Sequence, residues 1–408
     1  MTKFTALLVF VFLNAAAAQE SVQPEPGTRA AEIRAEQVRK QTELQPENVS
    51  KTEEFLRDLK DQRWLERITG GVYGIRPKFG GLATGSGFAL GPEYFRPDFA
   101  KGKVAVRSSA MISFGGYQLY DVQLSFPRIA EGRLFADLLG RHTNFPSLQY
   151  YGPGQDSAKN GRSSFRREAT EFTGTLGVRP IGPFRIGFVG GYSLYNIGPG
   201  TDDRFASTDA TFTEATTPGL NAQTNFLQAG GYFQVDTRDY PGEPRNGFNY
   251  IADFRYFSDR DVGRYSFRRI TLEAQQYIPF FNDRRVIALR GQTIFTNTDS
   301  GQRVPFYLQP VVGGSETLRG YRPFRYYDNN SLVMNAEYRW EVYTGLDMAL
   351  FFDAAKVFPR LEDFEWRGLK TSAGFGLRFN VRNNLFMRID NGFSKEGYQV
   401  WLKFNNVF

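Results

Sequence analysis

From Gly70 to the end of the chain, apolar and polar side chains alternate with a period of two residues. In residues 331–341 every even position is apolar or aromatic, whereas the odd positions include Asn335, Glu337 and Arg339. A period of two places successive side chains on opposite faces of a β-strand. Repeated over many segments, this pattern predicts an all-β fold. Two architectures meet it: a membrane β-barrel whose polar face lines the lumen, and a soluble sandwich with polar outer faces.

Three features favour the barrel. The apolar faces carry bulky aromatic residues near strand ends, as an interfacial girdle does, and aromatic residues make up 16% of the chain. The polar faces are dense in Arg and Glu, as a filled lumen would be. No stretch after residue 18 approaches the roughly 20 apolar residues of a membrane helix, which by itself leaves a soluble secreted protein open. The third feature is the secretory pattern at the N-terminus described below, which indicates export. We therefore predict a 16-stranded antiparallel transmembrane β-barrel over residues 69–408, preceded by a short N-terminal helical segment.

The sixteen predicted strands are the alternating segments separated by turn-forming residues, and an even number is typical of single-chain bacterial barrels. The longest predicted connections are residues 199–220 and 304–330. The strands are centred near positions 75, 88, 107, 121, 135, 170, 188, 231, 251, 272, 291, 336, 350, 375, 388 and 402.

The N-terminus has the pattern of a secretory signal over residues 1–18. Lys3 supplies the positive charge, residues 4–13 are apolar, and Ala16 begins a run of small residues suited to cleavage. Residues 19–68 are polar, charged and helical in character. We expect them to form a solvated periplasmic helix or a helix that closes the mouth of the barrel.

Composition excludes several functional classes. The chain has no cysteine, which removes disulfides, thiolate metal sites and a cysteine nucleophile. The formal charge of +7 comes from residues spread along the chain, which favours a membrane surface or a charged lumen over nucleic acid. His142 is the single histidine, so a hydroxyl nucleophile that needs a histidine base would have to use it. Asp347 and Asp353 lie roughly 20 Å apart along one predicted strand, too far for a paired-carboxylate site. We therefore expect no enzyme, no cofactor and no metal site.

Four motifs resemble those of the BamA/TamA family, also called the bacterial surface antigen family. An arginine-glycine-aromatic motif lies in the long loop GGSETLRGYRPFRYYDNN, and an aromatic-x-aspartate strand, FFDAAKVF, follows it. A glycine-rich strand, SAGFGLR, and a mid-barrel turn beginning DTRD complete the set. The residues that carry the first two motifs are Leu318, Arg319, Gly320 and Tyr321 in the loop and Phe351 and Asp353 in the strand.

The resemblance implies that this loop folds into the lumen and that Arg319 meets Asp353 on the inner wall. The alternation agrees, because Leu350 and Phe352 share the apolar face and leave Asp353 pointing inward. Gly320 would let the backbone pass close to the wall, and Tyr321 would pack beside it. Inward parity also predicts a charged inner-wall network of Glu337, Arg339, Arg378, Arg388 and Asp390.

The resemblance further implies assembly or translocation of polypeptides at the bacterial outer membrane. The mechanism would be lateral opening between the first and last strands with local bilayer disturbance. Partners would be outer-membrane lipids, client outer-membrane or secreted polypeptides, and a separate periplasmic protein. The chain departs from the family because residues 19–68 leave no room for a complete POTRA module, which puts client delivery in question. The alternative is a plugged channel or structural barrel that passes ions or small solutes.

Overall fold

The computed structural model describes residues 73–381, 384–404 and 408, together with Arg29, Ala35, Glu36 and Arg39. Those four residues are helical and exposed. The predicted signal peptide lies outside the described residues, as does the rest of the predicted helical segment. The following paragraphs concern residues 73–408.

Eighteen strands, two one-turn helices and three 3₁₀ turns make up the described part of this region. The strands are β1 (Ile75–Gly80), β2 (Ala89–Asp98), β3 (Val104–Ser113), β4 (Gln118–Ile129), β5 (Leu134–Tyr150), β6 (Ser163–Val178), β7 (Phe184–Pro199), β8 (Phe226–Asp236), β9 (Gly247–Asp259), β10 (Phe267–Phe280), β11 (Arg285–Asn297), β12 (Val311–Val312), β13 (Tyr326–Tyr327), β14 (Asn330–Tyr343), β15 (Leu346–Phe358), β16 (Lys370–Val381), β17 (Asn384–Ser394) and β18 (Gly397–Lys403). The helices are α1 (Phe99–Gly102) and α2 (Thr208–Thr211), and the 3₁₀ turns are Ala130–Gly132, Phe306–Leu308 and Leu361–Asp363.

Sixteen of these strands form one antiparallel sheet that follows chain order and curls into a nearly closed barrel. The short strands β12 and β13 form a separate two-stranded ribbon in the connection between β11 and β14. The predicted 16-stranded barrel is confirmed. Fifteen predicted centres fall inside strands, and the centre at position 88 lies one residue before β2.

The alternation places charge inside the barrel and apolar groups outside. On β15, Leu350 and Phe352 are each 51% exposed on the outer face, whereas Asp347 and Asp353 are buried. This arrangement suits a membrane, because the outer face meets lipid and the lumen keeps the polar groups. Within the described residues, no helix has both the length and the apolar character needed to cross a membrane.

The two ends of the barrel differ in the length of their connections. Residues 344–345 alone join β14 to β15, whereas residues 298–329 separate β11 from β14 at the other end. Part of that long connection packs inward on a buried aromatic cluster. Phe306 contacts the rings of Tyr150 and Phe165 at centroid distances of 5.2 and 4.8 Å. The lumen is therefore filled from the long-loop end.

Candidate functional site

The connection between β11 and β14 enters the lumen through a tight turn that glycine permits. Gly313 and Gly314 have φ values of +116° and +101°, which side chains disfavour. The Gly313 N–H donates to Thr317 Oγ1 at 2.8 Å and closes the turn. Beyond it, Leu318 and Tyr321 are buried against Val333 and other apolar residues of the inner wall. The turn therefore delivers the next residue, Arg319, into the barrel interior.

Arg319 is fully buried and is held by two carboxylates. Its Nε and Nη2 donate to Asp353 at 3.0 and 2.6 Å in a bidentate pair, and its backbone N–H donates to the same carboxylate at 3.1 Å. Its Nη1 donates to Glu337. The guanidinium also lies 3.5 Å from the centroid of the Phe351 ring. The wall thus covers one face of this cation and accepts hydrogen bonds from its Nε and both Nη atoms.

Glycine on both sides allows this close approach. A Cβ at Gly320 would lie 2.7 Å from the backbone of Phe393, and one at Gly392 would lie 2.4 Å from the carbonyl oxygen of Arg319. Such distances lie far inside van der Waals contact. Ser394 Oγ donates to the Gly320 carbonyl at 2.7 Å, and Trp401 Nε1 of β18 donates to the Arg319 carbonyl at 2.7 Å. The loop backbone is therefore pinned to the last two strands.

The inner wall extends the ion pairs across β14, β16 and β17. Glu337 accepts from Arg339 Nε at 2.7 Å and from Arg378 Nη2 at 3.0 Å. The other Arg378 nitrogen donates to Asp390 at 2.6 Å, and Arg388 donates to the second Asp390 oxygen. We call this set the latch network; its members are Arg319, Glu337, Arg339, Asp353, Arg378, Arg388 and Asp390.

Strand register explains why these side chains meet. Asn335 lies opposite Asp353 on the β14–β15 ladder and donates to it at 2.8 Å. Arg378 and Arg388 lie opposite each other on the β16–β17 ladder, and Asp390 bridges the two like charges. The barrel ladder therefore places each wall arginine of the latch network within reach of a carboxylate.

Burial and neighbouring charges act in opposite directions on the pKa of Arg319. Burial alone would lower the pKa of the Arg319 guanidinium, but the charges of Asp353 and Glu337 outweigh it and raise the pKa above its ordinary value. The group is therefore a permanent cation. Removing it would leave buried Asp353 without a counter-charge, which is costly in a desolvated site.

A second arginine of the same loop forms contacts nearer the long-loop end. Arg325 donates to both oxygens of Glu396, in the β17–β18 turn, at 3.0 Å. It also donates to Ser157 Oγ and to the Ser157 carbonyl, at 3.0 and 2.7 Å, in the β5–β6 connection. Lys159 Nζ donates to the Glu396 carbonyl at 2.6 Å. The loop thus connects the last hairpin to the opposite side of the barrel mouth.

The DTRD turn between β8 and β9 reaches across the short-turn end. Asp239 Oδ1 accepts the N–H groups of Tyr240, Arg245 and Asn246 and shapes the turn. Arg245 then donates to Asp347 of β15 at 2.7 Å and to Glu243 of its own turn at 3.1 Å. The turn therefore binds the wall four strands away in the sheet order.

Glu243 in this turn is buried close to a second carboxylate. Asn380 of β16 donates to Glu243 Oε1 at 2.5 Å and to Asp347 Oδ2 at 3.1 Å. Burial raises the pKa of the Glu243 carboxyl to about 8, and the neighbouring charge of Asp347 adds to the effect. This carboxyl changes charge near neutral pH, unlike an ordinary glutamate.

The described strands β1 and β18 do not close the barrel by hydrogen bonds. No ladder joins β1 to β18 among the described residues, so both present an unpaired edge. Phe404 contacts Phe79 and Phe88 at ring-centroid distances of 5.5 and 5.6 Å. A cavity of about 230 Å³, lined by Gly80, Gly81, Trp401 and Lys403 among others, lies between the two edges. We call this junction between β1 and β18 the seam. Aromatic contacts, without ladder hydrogen bonds, cover it.

Other candidate chemistry does not gather into a site. His142 Nδ1 lies 2.8 Å from Thr170 Oγ1, and Nε2 lies 3.9 Å from Glu168 Oε1, on a half-exposed surface. In the described ranges no group of three or more His, Cys, Asp or Glu side chains could hold a metal ion.

The predicted site residues all lie together at the loop and the wall. Sequence reasoning missed Trp401, Arg325 and Glu243. Arg325 belongs to the basic loop GGSETLRGYRPFRYYDNN, but its partners Ser157 and Glu396 are distant in sequence and no local pattern indicates them. Glu243 follows the DTRD motif, and its neighbour Asp347 lies on the same strand face as Asp353, but no local pattern indicates that the turn reaches this strand.

Comparison with known proteins agrees with this architecture. The Omp85 superfamily domain matches residues 90–393. The chain is similar to BamA from Haemophilus ducreyi lacking POTRA domains 1–3, with a TM-score of 0.60, 14% identity, and coverage of 81% of this chain and 70% of that chain. It is also similar to CdiB from Escherichia coli, with a TM-score of 0.53 and 11% identity. That match covers 81% of this chain but 62% of CdiB, less than two thirds. At these identities the likeness is one of fold.

Proposed function

The chain belongs to the Omp85 superfamily of outer-membrane β-barrels, and from this premise we propose that it assists the insertion or translocation of client polypeptides by opening at the seam. The partners would be outer-membrane lipids, a client outer-membrane or secreted polypeptide, and a periplasmic protein that delivers it. The residues that act are those of the seam and of the latch network.

The observation that carries the proposal is the pair of unpaired edge strands at the seam. An exposed strand edge presents a row of free N–H and C=O groups, and an extended peptide can add to it as a further strand. Elsewhere the barrel offers no such edge in its described part, because every other strand is paired on both sides. A client strand would therefore pair with β1 or β18.

The edge strands are also short, which supports local disturbance of the bilayer. β1 has 6 residues and β18 has 7, whereas β5 has 17. A transmembrane strand needs about 9–11 residues to cross the hydrocarbon core. The apolar belt is thus shorter at the seam than at β5, and lipid beside it would thin to match.

The latch network would set the position of the loop relative to the seam. Arg319 is fixed to β14 and β15 through its carboxylate partners, and its carbonyl accepts from Trp401 of the edge strand β18. Movement of β18 would break or bend this last hydrogen bond. We infer that the loop holds β18 in register until the seam opens.

A reversible disulfide across the seam tests the proposal. The chain has no native cysteine, and a Cβ at Gly80 would lie 3.9 Å from the Phe404 Cβ, within the usual range for a disulfide. Client insertion into proteoliposomes should be lost in oxidised Gly80→Cys/Phe404→Cys and restored by reductant. The single-cysteine variants control for strain, because Gly80 has a φ of +154°. Full activity in the oxidised double variant would refute lateral opening.

The alternative function is a plugged channel or structural barrel. It is favoured by a polar cavity of about 350 Å³ inside the lumen, lined in part by arginines. Conductance of wild type and of Arg319→Ala in planar bilayers separates the two functions. Large steady wild-type currents that persist in the oxidised seam variant, together with no client insertion, would establish the channel.

A further inference from the structure

The lumen contains an arginine-lined cavity away from the latch network and the seam. It measures about 350 Å³ and is bounded by inward faces of β4–β10, with Leu82 and Leu308 contributed by loops. We call it the arginine cavity. Its charged lining consists of Arg141, Arg167, Arg255 and Arg269, with Glu171 as the single lining carboxylate.

Three of these four arginines form no close ion pair within the described residues, although Arg141 lies opposite Asp121 and Glu171 on its two ladders. The Nε atoms of Arg141, Arg167 and Arg269 are enclosed and have no hydrogen-bond partner. No carboxylate lies within 4.0 Å of their guanidinium nitrogens in the part of the chain that the structure describes, whereas Arg255 pairs with Asp253 at 2.9 Å. Glu171 instead accepts a hydrogen bond from Tyr195 at 3.0 Å. Enclosed N–H groups without acceptors are costly, and an anion in this cavity would supply acceptors to these three Nε atoms.

Strand register adds a repulsion between two of these arginines. Arg255 and Arg269 lie directly opposite each other on the β9–β10 ladder. Like charges in this position repel and destabilise the pair of strands. Asp253 is two residues from Arg255 on the same face and forms its ion pair there, which leaves Arg269 facing its neighbour unpaired. The barrel therefore holds an electrostatic conflict that an added anion would relieve.

We propose that the arginine cavity binds a small oxyanion of the phosphate class, free or as a phosphate ester. Guanidinium groups match phosphate oxygens in planar, two-pronged geometry, and several of them can share one multiply charged anion. A carboxylate carries a single charge and would neutralise only part of the positive charge of the four arginines. The volume lies within the usual range for small-ligand sites, which leaves room for a modest organic group on the phosphate. This inference stands apart from the assembly role.

A bound anion would also act on the loop that fills the lumen. Arg269 donates a hydrogen bond through Nη2 to the carbonyl of Leu308, at the end of the inward-packed 3₁₀ turn. The same guanidinium stacks near the rings of Phe257 and Phe267, at 5.4 and 5.1 Å from their centroids. An anion that neutralises Arg269 would fix this guanidinium and so steady the loop contact.

Calorimetry of the purified full chain with inorganic phosphate tests the site. Wild type should bind phosphate, and Arg269→Gln should weaken binding at least about tenfold, since a charge-assisted hydrogen bond is lost. Arg167→Gln provides a second variant should the first fail to fold. The control is Arg268→Gln, the adjacent residue on the outer face, which pairs with Asp299 and should bind phosphate as wild type does. No saturable phosphate binding, or equal loss in the control, would overturn the proposal.

Two further titrations identify the source of the phosphate. Tighter binding of glycerol 3-phosphate than of a short-chain phosphatidic acid would assign a soluble ester, and the reverse order would assign a lipid headgroup. Both results support the phosphate class. Equal affinity for acetate and phosphate would show that a single charge suffices and would overturn it.

Discussion

Two pairs of arginines face each other across strands of this barrel, and their surroundings differ. Arg378 and Arg388 are opposite one another on β16 and β17, and Asp390 bridges them with one oxygen to each. Arg255 and Arg269 are opposite one another on β9 and β10, and no carboxylate bridges them among the described residues. The same cross-strand conflict is thus resolved internally at the latch and left unresolved in the cavity.

The difference separates two uses of buried positive charge. In the latch network every arginine meets a carboxylate, so the cations hold a loop in one position. In the arginine cavity the cations face open space, so they are available to a ligand. Mutations should therefore have opposite consequences in the two regions. Removal of an arginine should lower the free energy of unfolding in the latch network and raise it in the arginine cavity.

The largest effect is expected for Arg319→Ala. The change leaves buried Asp353 without a cation and removes one of three arginines from Glu337, and the loss of a buried pair costs about 3–5 kcal/mol. The free energy of unfolding, from urea titration of the refolded barrel, measures it. The matched control is Arg360→Ala, an exposed arginine paired with Glu362 and Asp363, which should leave the free energy of unfolding close to that of wild type because exposed ion pairs contribute little. Equal effects would contradict the role of the latch.

The next effect is expected for Asp390→Asn, which makes the latch resemble the cavity. Arg378 and Arg388 would then face each other without a bridging charge, and we expect a loss of about 2–3 kcal/mol in unfolding free energy. Added phosphate should recover part of that loss in the variant if an exogenous anion can replace the carboxylate. A variant as stable as wild type would show that the bridge contributes nothing.

A smaller and pH-dependent effect is expected at the turn that spans the short-turn end. Glu243 has a folded pKa of about 8 against 4.5 for an ordinary glutamate, so its stabilising contribution is full below pH 4.5. That contribution is lost as the pH rises from 4.5 through about 8, because the unfolded chain releases the proton first. Its charged neighbours are Arg245 on the same turn, Asp347 on β15 and Arg339 on β14.

Unfolding free energies of wild type and Glu243→Gln across pH 5 to 9 measure this effect. Wild type should lose stability with rising pH relative to the variant, which cannot release a proton at this position. Parallel curves for the two proteins would show that Glu243 is ionised throughout and that its pKa is not raised.

The smallest effect, and the one of opposite sign, is expected for Arg269→Gln in phosphate-free buffer. Removing one member of the opposed pair with Arg255 should stabilise the barrel by up to about 1 kcal/mol. Addition of phosphate should stabilise wild type and reduce the difference in unfolding free energy between wild type and Arg269→Gln. A clear loss of stability in phosphate-free buffer would mean that the internal contacts of Arg269 outweigh its repulsion with Arg255.

The sequence predicted the fold and the latch because both depend on a period of two. Once Leu350 and Phe352 are assigned to the outer face, Asp353 must point inward, and the motif resemblance supplies Arg319 as its partner. The predicted inner-wall residues share that parity and lie within one network. Alternation therefore fixes which way a side chain points.

Alternation does not fix which residues are neighbours across a ladder. The conflict between Arg255 and Arg269 depends on the register of β9 against β10, which turn length and bulges determine. The contact of Arg325 with Ser157 and Glu396 depends on how two long loops fold over the barrel mouth. These features combine residues distant in sequence, so no local pattern could reveal them.

A double-mutant cycle between Arg319 and Asp353 tests the central claim most directly, that these two residues form the ion pair that holds the loop in the lumen. Unfolding free energies are measured for wild type, Arg319→Met, Asp353→Asn and the double variant, with client insertion measured in parallel. We predict that the free energy of unfolding falls less in the double variant than the sum of the falls in the two single variants. The difference should be about 1–3 kcal/mol, as for residues in contact. Additive losses would contradict the account, because they would mean that the two residues act independently.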